Sequence, residues 1–236
     1  MDDVTYNGRD LEVLADMPNY YTWIMAVFAP HISGQVIEYG AGTGTISRRA
    51  APLAEKLILV EPSKNLAEHL KLQFSGDPKF EVACDTLEHH VVHVPDAFAD
   101  TVILVNVLEH IEDDGTALTR LLRILKPGGH LLIFVPALPL LMSKLDVIHG
   151  HFRRYKRPDL MDKVRTTGGT IISCRYFDIL GVMPWLLLNK ALGSTTFNPA
   201  LVRINDRIVV PVSRFIESLH QPGFGKNLIL VASKPT

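Results

Sequence analysis

Short, continuous apolar runs separated by helix-like segments constrain the fold of this chain more than any other feature. The runs lie at 35–39, 56–62, 80–84, 100–107 and 130–137. Strands that are covered by helices on both faces have this character, because neither face of the sheet meets water. The alternation of strands and helices therefore predicts an α/β fold with a doubly wound, mostly parallel sheet and right-handed crossovers.

Helical spacing is clearest in the segment that precedes the fifth run. Its leucines at positions 118, 121, 122 and 125 share one helical face, and the sequence Lys-Pro-Gly-Gly at 126–129 stops the helix. In an open parallel sheet, ligands bind at the carboxyl ends of the strands, near the point where the strand order reverses. We therefore expect the functional residues at those ends.

Length, charge and cysteine content set the broad class. A chain of 236 residues can form one sizeable core, which predicts a single domain over 1–236. The formal net charge of -1 gives no general attraction for nucleic acid, so we expect no such partner. Two cysteines indicate no disulfide framework, and no stretch reaches the roughly 20 apolar residues of a membrane span. Because the N-terminus also has no signal-peptide core, a cytoplasmic protein is expected.

The glycine-rich turn at 40–44 follows the first run and reads G-x-G-x-G. A dinucleotide fingerprint places its third glycine one position later. Glu38, two residues ahead of the turn, would repel a pyrophosphate and attract a cation. Glu61 ends the second run, where a carboxylate can accept the hydroxyls of a ribose, and Asp85 follows the third. A ligand with an ammonium group, a ribose and an adenine but no phosphate fits this set, and S-adenosylmethionine is such a ligand.

Five segments in order carry a resemblance to a known family. They read VIEYGAGTG, VEPS, CDTL, VNVLEHIEDD and LLRILKPGGHLLIFVP. Together they resemble the class I S-adenosylmethionine-dependent methyltransferases over about 20–178 and the last strand. The resemblance implies a Rossmann-like sheet of seven strands with an antiparallel last strand. It also implies transfer of a methyl group from S-adenosylmethionine to a small-molecule or lipid-like acceptor by in-line displacement.

The resemblance assigns roles to individual residues around the cofactor. Glu38 would face the methionine ammonium, Glu61 would hold the ribose, and Asn106 would line the methionine side. Asp85 and Thr86 would border the adenine. The full set of expected cofactor-binding residues is Tyr21, Glu38, Gly40, Ala41, Gly42, Gly44, Glu61, Pro62, Asp85, Thr86 and Asn106.

Histidines near the ends of the fourth and fifth strands are candidates for a general base. A base is needed only if the nucleophile is a hydroxyl or an ammonium that must lose a proton. The stretch after the fifth strand resembles the GHxRRY segment of many small-molecule and lipid-linked methyltransferases, although a solvated basic loop would have a similar composition. The predicted catalytic residues are His110, His149, His151 and Tyr155.

Two groups of residues suggest a metal site. Glu109 and His110, with Asn106 before them, resemble the metal-binding segment of quinone-precursor O-methyltransferases, which carry a further acid in place of the asparagine. A second cluster, at 89–93, contains three histidines but no thiol. We expect no metal at either.

The segment at 178–226 separates the sixth strand, 170–177, from the seventh, 227–233, and is too long for a structureless loop. It is predicted to be a helical cap that walls an apolar acceptor pocket, with loose contact to a membrane surface as an option. Core packing and a dimer contact are the alternatives, in a monomer or a homodimer. An N-terminal helical segment is expected at 1–34. The predicted pocket residues are Met183, Trp185 and Leu186, and the apolar residues of the second cap helix are Leu201, Ile204, Ile208, Val212, Phe215 and Leu219.

Two other functions compete with methyl transfer. An NAD(P)-dependent reductase shares the order of strand, glycine turn and acid, but Glu38 and the position of the third glycine disfavour it. A non-catalytic module that binds S-adenosylmethionine has the same cofactor motifs, so the sequence leaves it open.

Overall fold

In the computed structural model, residues 5, 6, 8 and 10–236 are described, and they form an α/β fold around one sheet of seven strands. The order across the sheet is β3-β2-β1-β4-β5-β7-β6. Strand β7 pairs antiparallel with both of its neighbours, whereas the other pairs are parallel. The predicted fold is confirmed. The strands are β1 Gln35–Tyr39, β2 Lys56–Val60, β3 Phe80–Ala83, β4 Ala99–Val105, β5 Leu125–Pro136, β6 Thr170–Phe177 and β7 Asn227–Ser233.

Helices cover both faces of the sheet, because the strands are apolar on both sides. One core lies under α5, α6 and α8, and the other lies under α2, α3 and α4. Alternate residues of one strand enter different cores: Ile37 enters the first and Val36 the second. The helices are α1 Asp10–Ala15, α2 Pro18–Phe28, α3 Ser47–Ala50, α4 Lys64–Gln73, α5 Leu87–His93, α6 Asp114–Ile124, α7 Lys144–Ile148, α8 Arg157–Thr166, α9 Val182–Pro184, α10 Pro199–Ile204 and α11 Val210–Leu219.

The end of helix α6 differs from the sequence-based expectation. Leu125 is buried, but it is the first residue of β5 and pairs with Ala99 of β4, so its assignment to the helix was wrong. The ladder between these strands is interrupted and resumes where His130 pairs with Thr101. Lys126 precedes Pro127, and a residue before proline is disfavoured in the α region. The chain therefore leaves the helix before Lys126 and continues as a strand.

The cap, residues 178–226, consists of two helical parts. The inner part joins α9 to a π-helical segment, Trp185–Ala191. The outer part, the outer cap helix at 199–219, joins α10 and α11 through a second π-helical segment, Asn205–Val209. None of the helices in the described part of the chain has the length and apolar character that crossing a membrane requires.

The outer cap helix packs against the N-terminal helix α2 through a buried acid. The carboxylate of Asp206 accepts hydrogen bonds from the backbone N–H groups of Asn19, at 3.2 Å, and Tyr20, at 2.9 Å. These donors lie in the first turn of α2, where a negative charge is favourable. The cap and the N-terminal helical segment are thereby held together. Residues 1–4, 7 and 9 of the expected segment at 1–34 lie outside the described residues.

Candidate active site

The sheet reverses its strand order between β1 and β4, and the predicted site residues lie at the carboxyl ends of strands on both sides of that point. Glu38 belongs to β1, and Glu61 follows β2 directly. Asn106 follows β4. These residues gather at the edge where we expected them, which is where ligands bind in such sheets.

The glycine turn adopts a backbone conformation that other residues rarely take. Gly40, Gly42 and Gly44 have φ values of 68°, 54° and 74°. A Cβ atom on Gly40 would lie 2.4 Å from a methyl carbon of Val107, and one on Gly44 would lie 2.7 Å from the side-chain amide of Gln73. The fold itself therefore requires glycine at 40 and 44, in addition to any need for close approach by a ligand.

Glu61 fixes the glycine turn through both of its carboxylate oxygens. Its Oε2 accepts the N–H of Gly42 at 2.8 Å, and its Oε1 accepts the N–H of Ser63 at 3.0 Å. Each carboxylate oxygen has two acceptor positions, so both oxygens keep capacity for a ligand hydroxyl. Burial raises the pKa of Glu61, and the two backbone hydrogen bonds oppose that rise.

Glu38 is a buried carboxyl that accepts a hydrogen bond from a neutral group. Its Oε2 accepts a hydrogen bond from the hydroxyl of Ser47 at 2.6 Å. Burial raises the pKa of Glu38 to about 8, with a smaller contribution from the nearby charge of Glu61. The hydrogen bond from Ser47 acts in the opposite direction. A cationic ligand group beside this carboxyl would favour its ionised form.

The adenine-side residues form a local turn after β3. Asp85 Oδ1 accepts the N–H of Thr86 at 2.8 Å, and Asp85 Oδ2 pairs with His89 Nδ1 at 2.8 Å. The hydroxyl of Thr86 accepts the N–H of His89 and so caps helix α5. Both residues are half-buried, which leaves part of each open to a ligand.

The remaining cofactor-side residues surround this edge. Asn106 is exposed and has a φ of 53°, and its N–H donates to Phe134 O at 2.8 Å. Ala41 is buried beneath the turn, and Pro62 is half-buried beside Glu61. Tyr21 is half-buried on α2, with the guanidinium of Arg49 5.4 Å from its ring centre. A non-glycine residue in the left-handed region is uncommon, and such residues cluster at functional sites.

The histidine loop, residues 143–155, follows β5 and is organised around the buried carboxylate of Asp146. Asp146 Oδ2 accepts the N–H and the hydroxyl of Ser143, at 2.8 Å and 2.7 Å, in a capping box that begins α7. Asp146 Oδ1 lies 3.0 Å from His151 Nδ1 and 2.8 Å from Arg154 Nε. These partners outweigh burial and hold the pKa of Asp146 well below its usual range.

His151 connects Asp146 to a second histidine. The rings of His151 and His110 are perpendicular, with centres 4.7 Å apart, and the ring of His149 lies 6.1 Å from that of His151. Partial burial lowers the pKa of His110 to about 4, and the neighbouring His151 and His149 lower it further. At neutral pH, His110 is therefore uncharged.

Glu109 is buried beside these histidines, and neither of its carboxylate oxygens has a hydrogen-bond partner in the described structure. Burial raises its pKa to about 8. Ligand atoms of Glu109, His110 and His151 all lie within 4.8 Å of one another, a spacing that could hold a cation. The histidines at 89–93 form no such group among the described residues.

Tyr155 does not have the accessibility that a catalytic role requires. Its side chain is buried, and its hydroxyl donates to Asp114 Oδ2 at 2.9 Å, with Leu108 O a second acceptor within reach at 3.1 Å. Burial and the nearby Asp114 charge raise its pKa well above the usual range. We therefore correct the prediction: Tyr155 ties the histidine loop to the turn after β4, because its tertiary partners occupy the hydroxyl.

The inner part of the cap contacts the histidine loop. The indole of Trp185 donates to Leu141 O at 3.0 Å, and the guanidinium of Arg154 lies over its ring at 4.5 Å. Phe197 lies 6.4 Å from His149, measured between ring centres. Of the other predicted pocket residues, Met183 is 56% exposed. Trp185 is thus the cap residue with the most direct contact to the loop among those predicted.

Comparison with known proteins places this arrangement in a family. A model described as "Methyltransferase domain" matches residues 37–133, which include the glycine turn, Glu61, Asp85 and Glu109. A demethylmenaquinone methyltransferase of Clavibacter sepedonicus is 26% identical over 153 residues, 62% of this chain and 61% of the relative. A ubiquinone biosynthesis O-methyltransferase of Proteus mirabilis is 28% identical over 98 residues, 41% of this chain and 39% of the relative. Residues 37–133 of this chain are thus identified as a methyltransferase domain, and both relatives are named as methyltransferases.

A solved structure extends the likeness over nearly the whole fold. It is an S-adenosylmethionine-dependent methyltransferase of Mesorhizobium loti, with a TM-score of 0.66 and 15% identity over 93% of this chain and 100% of that one. At this identity the likeness concerns the fold alone. The chain spans less than two thirds of the length of the two curated relatives.

S-adenosylmethionine, the cofactor of such methyltransferase domains, fits the residues of the candidate site. The buried Glu38 carboxyl, with its raised pKa, suits an ammonium group, and the open acceptor positions of Glu61 suit two hydroxyls. Asp85 and Thr86, the residues expected beside the adenine, follow the end of the next strand. When bound, the cofactor supplies a methyl group that its sulfonium has already activated for displacement.

Sequence reasoning missed one residue of the candidate site. Asp146 was not among the predicted site residues, yet it contacts Ser143, His151 and Arg154. The pattern of a serine followed three residues later by an acid is a helix-start signal that could have drawn attention to it. Its pairing with His151 carried no such local signal.

Proposed function

We propose that this protein methylates a hydroxyl group on a small, largely apolar acceptor, with S-adenosylmethionine as the donor. The observation that carries the proposal is the chain of contacts from Asp146 through His151 to His110. This chain lies on the segments that follow β4 and β5, and the cofactor-side carboxyls lie at the ends of β1 and β2. The acceptor is therefore taken to lie between the two groups.

The role proposed for His151 is general base. Asp146 Oδ1 accepts a hydrogen bond from Nδ1–H of His151, which leaves Nε2 of the same ring as the proton acceptor. A carboxylate in this position fixes the tautomer and stabilises the imidazolium that forms, while remaining ionised itself. The pKa of Asp146, which lies well below its usual range, agrees with a carboxylate that remains ionised. The acceptor hydroxyl would lose its proton to Nε2 of His151 as its oxygen attacks the methyl carbon.

His110 and His149 have supporting parts in this proposal. His110 is neutral at pH 7 and presents an uncharged ring to the acceptor side. His149 contacts Phe197 of the cap and so connects the loop to the apolar segment above it. Neutral and aromatic surfaces suit an acceptor with an apolar body better than one with several charges.

The acceptor class is supported by the inner cap and by the relatives. Trp185 contacts Arg154, and the surrounding residues of the inner cap are mostly apolar. The names of the two curated relatives, a demethylmenaquinone methyltransferase and a ubiquinone biosynthesis O-methyltransferase, both refer to quinones. We extend that chemical class, and no particular compound, to this protein. Trp185, Met183 and Leu186 remain the proposed pocket residues.

A labelling experiment tests the proposal. The purified protein is incubated with S-adenosylmethionine labelled in its methyl group and with a cell extract, and the label is followed into an organic-solvent phase. We expect protein-dependent label in that phase that mild base does not release, as for a methyl ether. Glu61→Ala serves as the control with a weakened cofactor site. Label that enters only precipitated protein or nucleic acid would contradict the proposed acceptor class, and binding without any transfer would favour a non-catalytic module.

A further inference from the structure

The outer cap helix turns most of its large apolar residues outward and buries the acidic residue Asp206. The side chains of Asp206, Val210 and Ser213 turn inward toward α2 and the sheet. The apolar residues that recur at helical spacing face outward; Phe215 is 65% exposed and Ile208 is 61% exposed. The stripe therefore does not pack in the core, which was one of the alternatives for this segment. The outward set is Leu201, Ile204, Ile208, Val212, Phe215, Ile216 and Leu219.

The exposed apolar surface is concentrated in the cap. Of the twenty large apolar side chains that are exposed in the described residues, twelve lie within 178–226. Scattered single apolar residues are normal on protein surfaces, whereas a concentration of this kind marks a surface that meets a partner or a membrane. The remaining cap members of the set are Met183, Leu187, Leu188, Leu192 and Phe224.

The exposed charges of the cap have one sign. Its three acids are turned inward: Asp178 and Asp206 are buried, and Glu217 accepts hydrogen bonds from the N–H of Ile179 and the hydroxyl of Ser213. The exposed side chains of the cap that carry a formal charge are all cationic, although the whole chain has a net charge of -1. They are Lys190, Arg203, Arg207 and Arg214.

We propose that the cap is a docking surface for an anionic lipid bilayer, with the outer cap helix lying in the plane of the interface. A helix that presents an apolar stripe beside arginines, and that is too short and too polar to span, has the character of an interfacial helix. The apolar stripe would enter the boundary between headgroups and acyl chains. The arginines would meet the lipid phosphates, because basic residues beside such a helix are attracted to anionic leaflets.

The charge of the exposed cap residues favours an anionic bilayer over a second copy of the chain as the partner of this surface. In a two-fold dimer the same patch meets itself, so Arg203, Arg207 and Arg214 would be brought toward their own copies without exposed cap acids to pair with. An anionic bilayer supplies the missing negative charge. The proposal does not depend on methyl transfer, since vesicle binding can be measured with no cofactor or acceptor present.

Vesicle sedimentation tests the proposal with the full chain. We expect binding to vesicles that contain phosphatidylglycerol, little binding to pure phosphatidylcholine vesicles, and loss of most binding in 1 M salt, where charges are screened within about 3 Å. Each arginine near an anionic surface is expected to strengthen binding about fivefold. The combined variant R203Q/R207Q/R214Q should therefore weaken binding at least tenfold.

Two variant pairs separate docking from misfolding. The combined variant I208Q/F215Q should also weaken vesicle binding about tenfold or more, because two apolar side chains leave the interface. L72Q is its matched control, since Leu72 is 76% exposed on α4, outside the cap. R165Q on α8, which covers the opposite face of the sheet, is the control for charge. Both controls should bind as the unaltered protein does, and all variants should melt at similar temperatures.

A positive signal completes the test. Tryptophan introduced by I208W should be quenched by brominated phosphatidylglycerol, and tryptophan introduced by L72W should not. The proposal is overturned if neither vesicle type binds, if both bind equally, or if Ile208→Trp escapes quenching. It is also overturned if light scattering shows a stable dimer that I208Q/F215Q dissociates while vesicles remain unbound.

Discussion

The two sides of the active-site edge are built in different ways. On the cofactor side, carboxylates accept backbone N–H groups at the strand ends, mostly from the next one or two residues, as Glu61 does from Ser63 and Asp85 does from Thr86. Glu61 also reaches Gly42 in the turn after the neighbouring strand. On the acceptor side, side chains meet side chains across long separations, as Trp185 does with Arg154. The first arrangement depends on local chain geometry, and the second depends on how the histidine loop and the cap pack. We therefore expect changes on the two sides to separate binding of the cofactor from turnover.

The largest effect is expected on the acceptor side. His151→Ala should lower turnover about 10²- to 10⁴-fold, the usual contribution of a positioned general base. Affinity for S-adenosylhomocysteine should change less than twofold, because His151 does not belong to the cofactor side. Turnover assays and calorimetry on the same preparation measure the two quantities.

His89→Ala is the matched control for that change. His89 also pairs with an aspartate, Asp85, at 2.8 Å, but it lies on the cofactor side. Its replacement should leave turnover at saturating cofactor nearly unaltered. If the His151 variant lost cofactor affinity and turnover in equal measure, the histidine loop would be a cofactor lid, and the two sides would not be separable.

A smaller effect is expected on the cofactor side, where affinity for the cofactor should change rather than turnover. Glu61→Ala should weaken binding of S-adenosylhomocysteine about 10- to 100-fold, because hydrogen bonds to a charged group contribute roughly 1.5–3 kcal/mol each. Asp77→Ala is a suitable control, since Asp77 also accepts a backbone N–H, from Lys79, at a turn away from the site. Calorimetry gives the affinities, and a thermal melt shows whether the glycine turn survives. Unaltered affinity would mean that the ribose is held elsewhere.

The pH dependence of cofactor binding tests the role of Glu38. Its pKa of about 8 in the free protein means that the carboxyl is mostly protonated at pH 6–7.5. A ligand ammonium favours the ionised form, so binding releases a proton and affinity rises with pH by up to about tenfold per unit. This pH range lies below the pKa of an α-amino group, about 7.7–8.0, so the ligand ammonium stays mostly protonated across it.

Calorimetry in two buffers of different ionisation enthalpy counts the released protons. About one proton should be released by the unaltered protein, and none by Glu38→Gln. Equal proton release by both proteins would show that Glu38 does not meet the ammonium group.

The smallest effect concerns stability on the acceptor side. The pKa of Glu109 is about 8 in the folded protein, above its ordinary value of 4.5. The stability that its protonated form contributes is complete below pH 4.5 and is lost as the pH rises to 8. Glu109→Gln lacks this loss, so its melting temperature relative to the unaltered protein should increase from pH 5 to pH 8.

The size of that increase follows from the scale of domain unfolding. Each 1 kcal/mol of change in the free energy of unfolding shifts the melting temperature by about 2–4 °C for a domain of this size. Glu88→Gln, at an exposed position on α5, should show no such trend. If the melting curves of the Glu109 variant and the unaltered protein stayed parallel over this range, Glu109 would be ionised in the folded state, for example by a cation held with His110 and His151.

The sequence by itself determined the sheet and the cofactor side of the site. Continuous apolar runs can be buried on both faces only between two layers of helices, and the positions of Glu38, Glu61 and Asp85 follow from where each strand ends. Contacts such as that between Glu61 and Ser63 join neighbours in the chain. For this reason the local sequence pattern was sufficient to predict the positions of these carboxylates.

Tertiary structure alone decided the acceptor side and the orientation of the cap. Tyr155 and His151 lie in the same loop, but the fold buries one hydroxyl against Asp114 and leaves the other ring beside His110. The helical spacing of the outer cap helix identifies its apolar stripe without saying which way the stripe faces. The buried contacts of Asp206 with α2 turn the stripe outward, because an acid that satisfies two backbone N–H groups fixes the rotation of its helix.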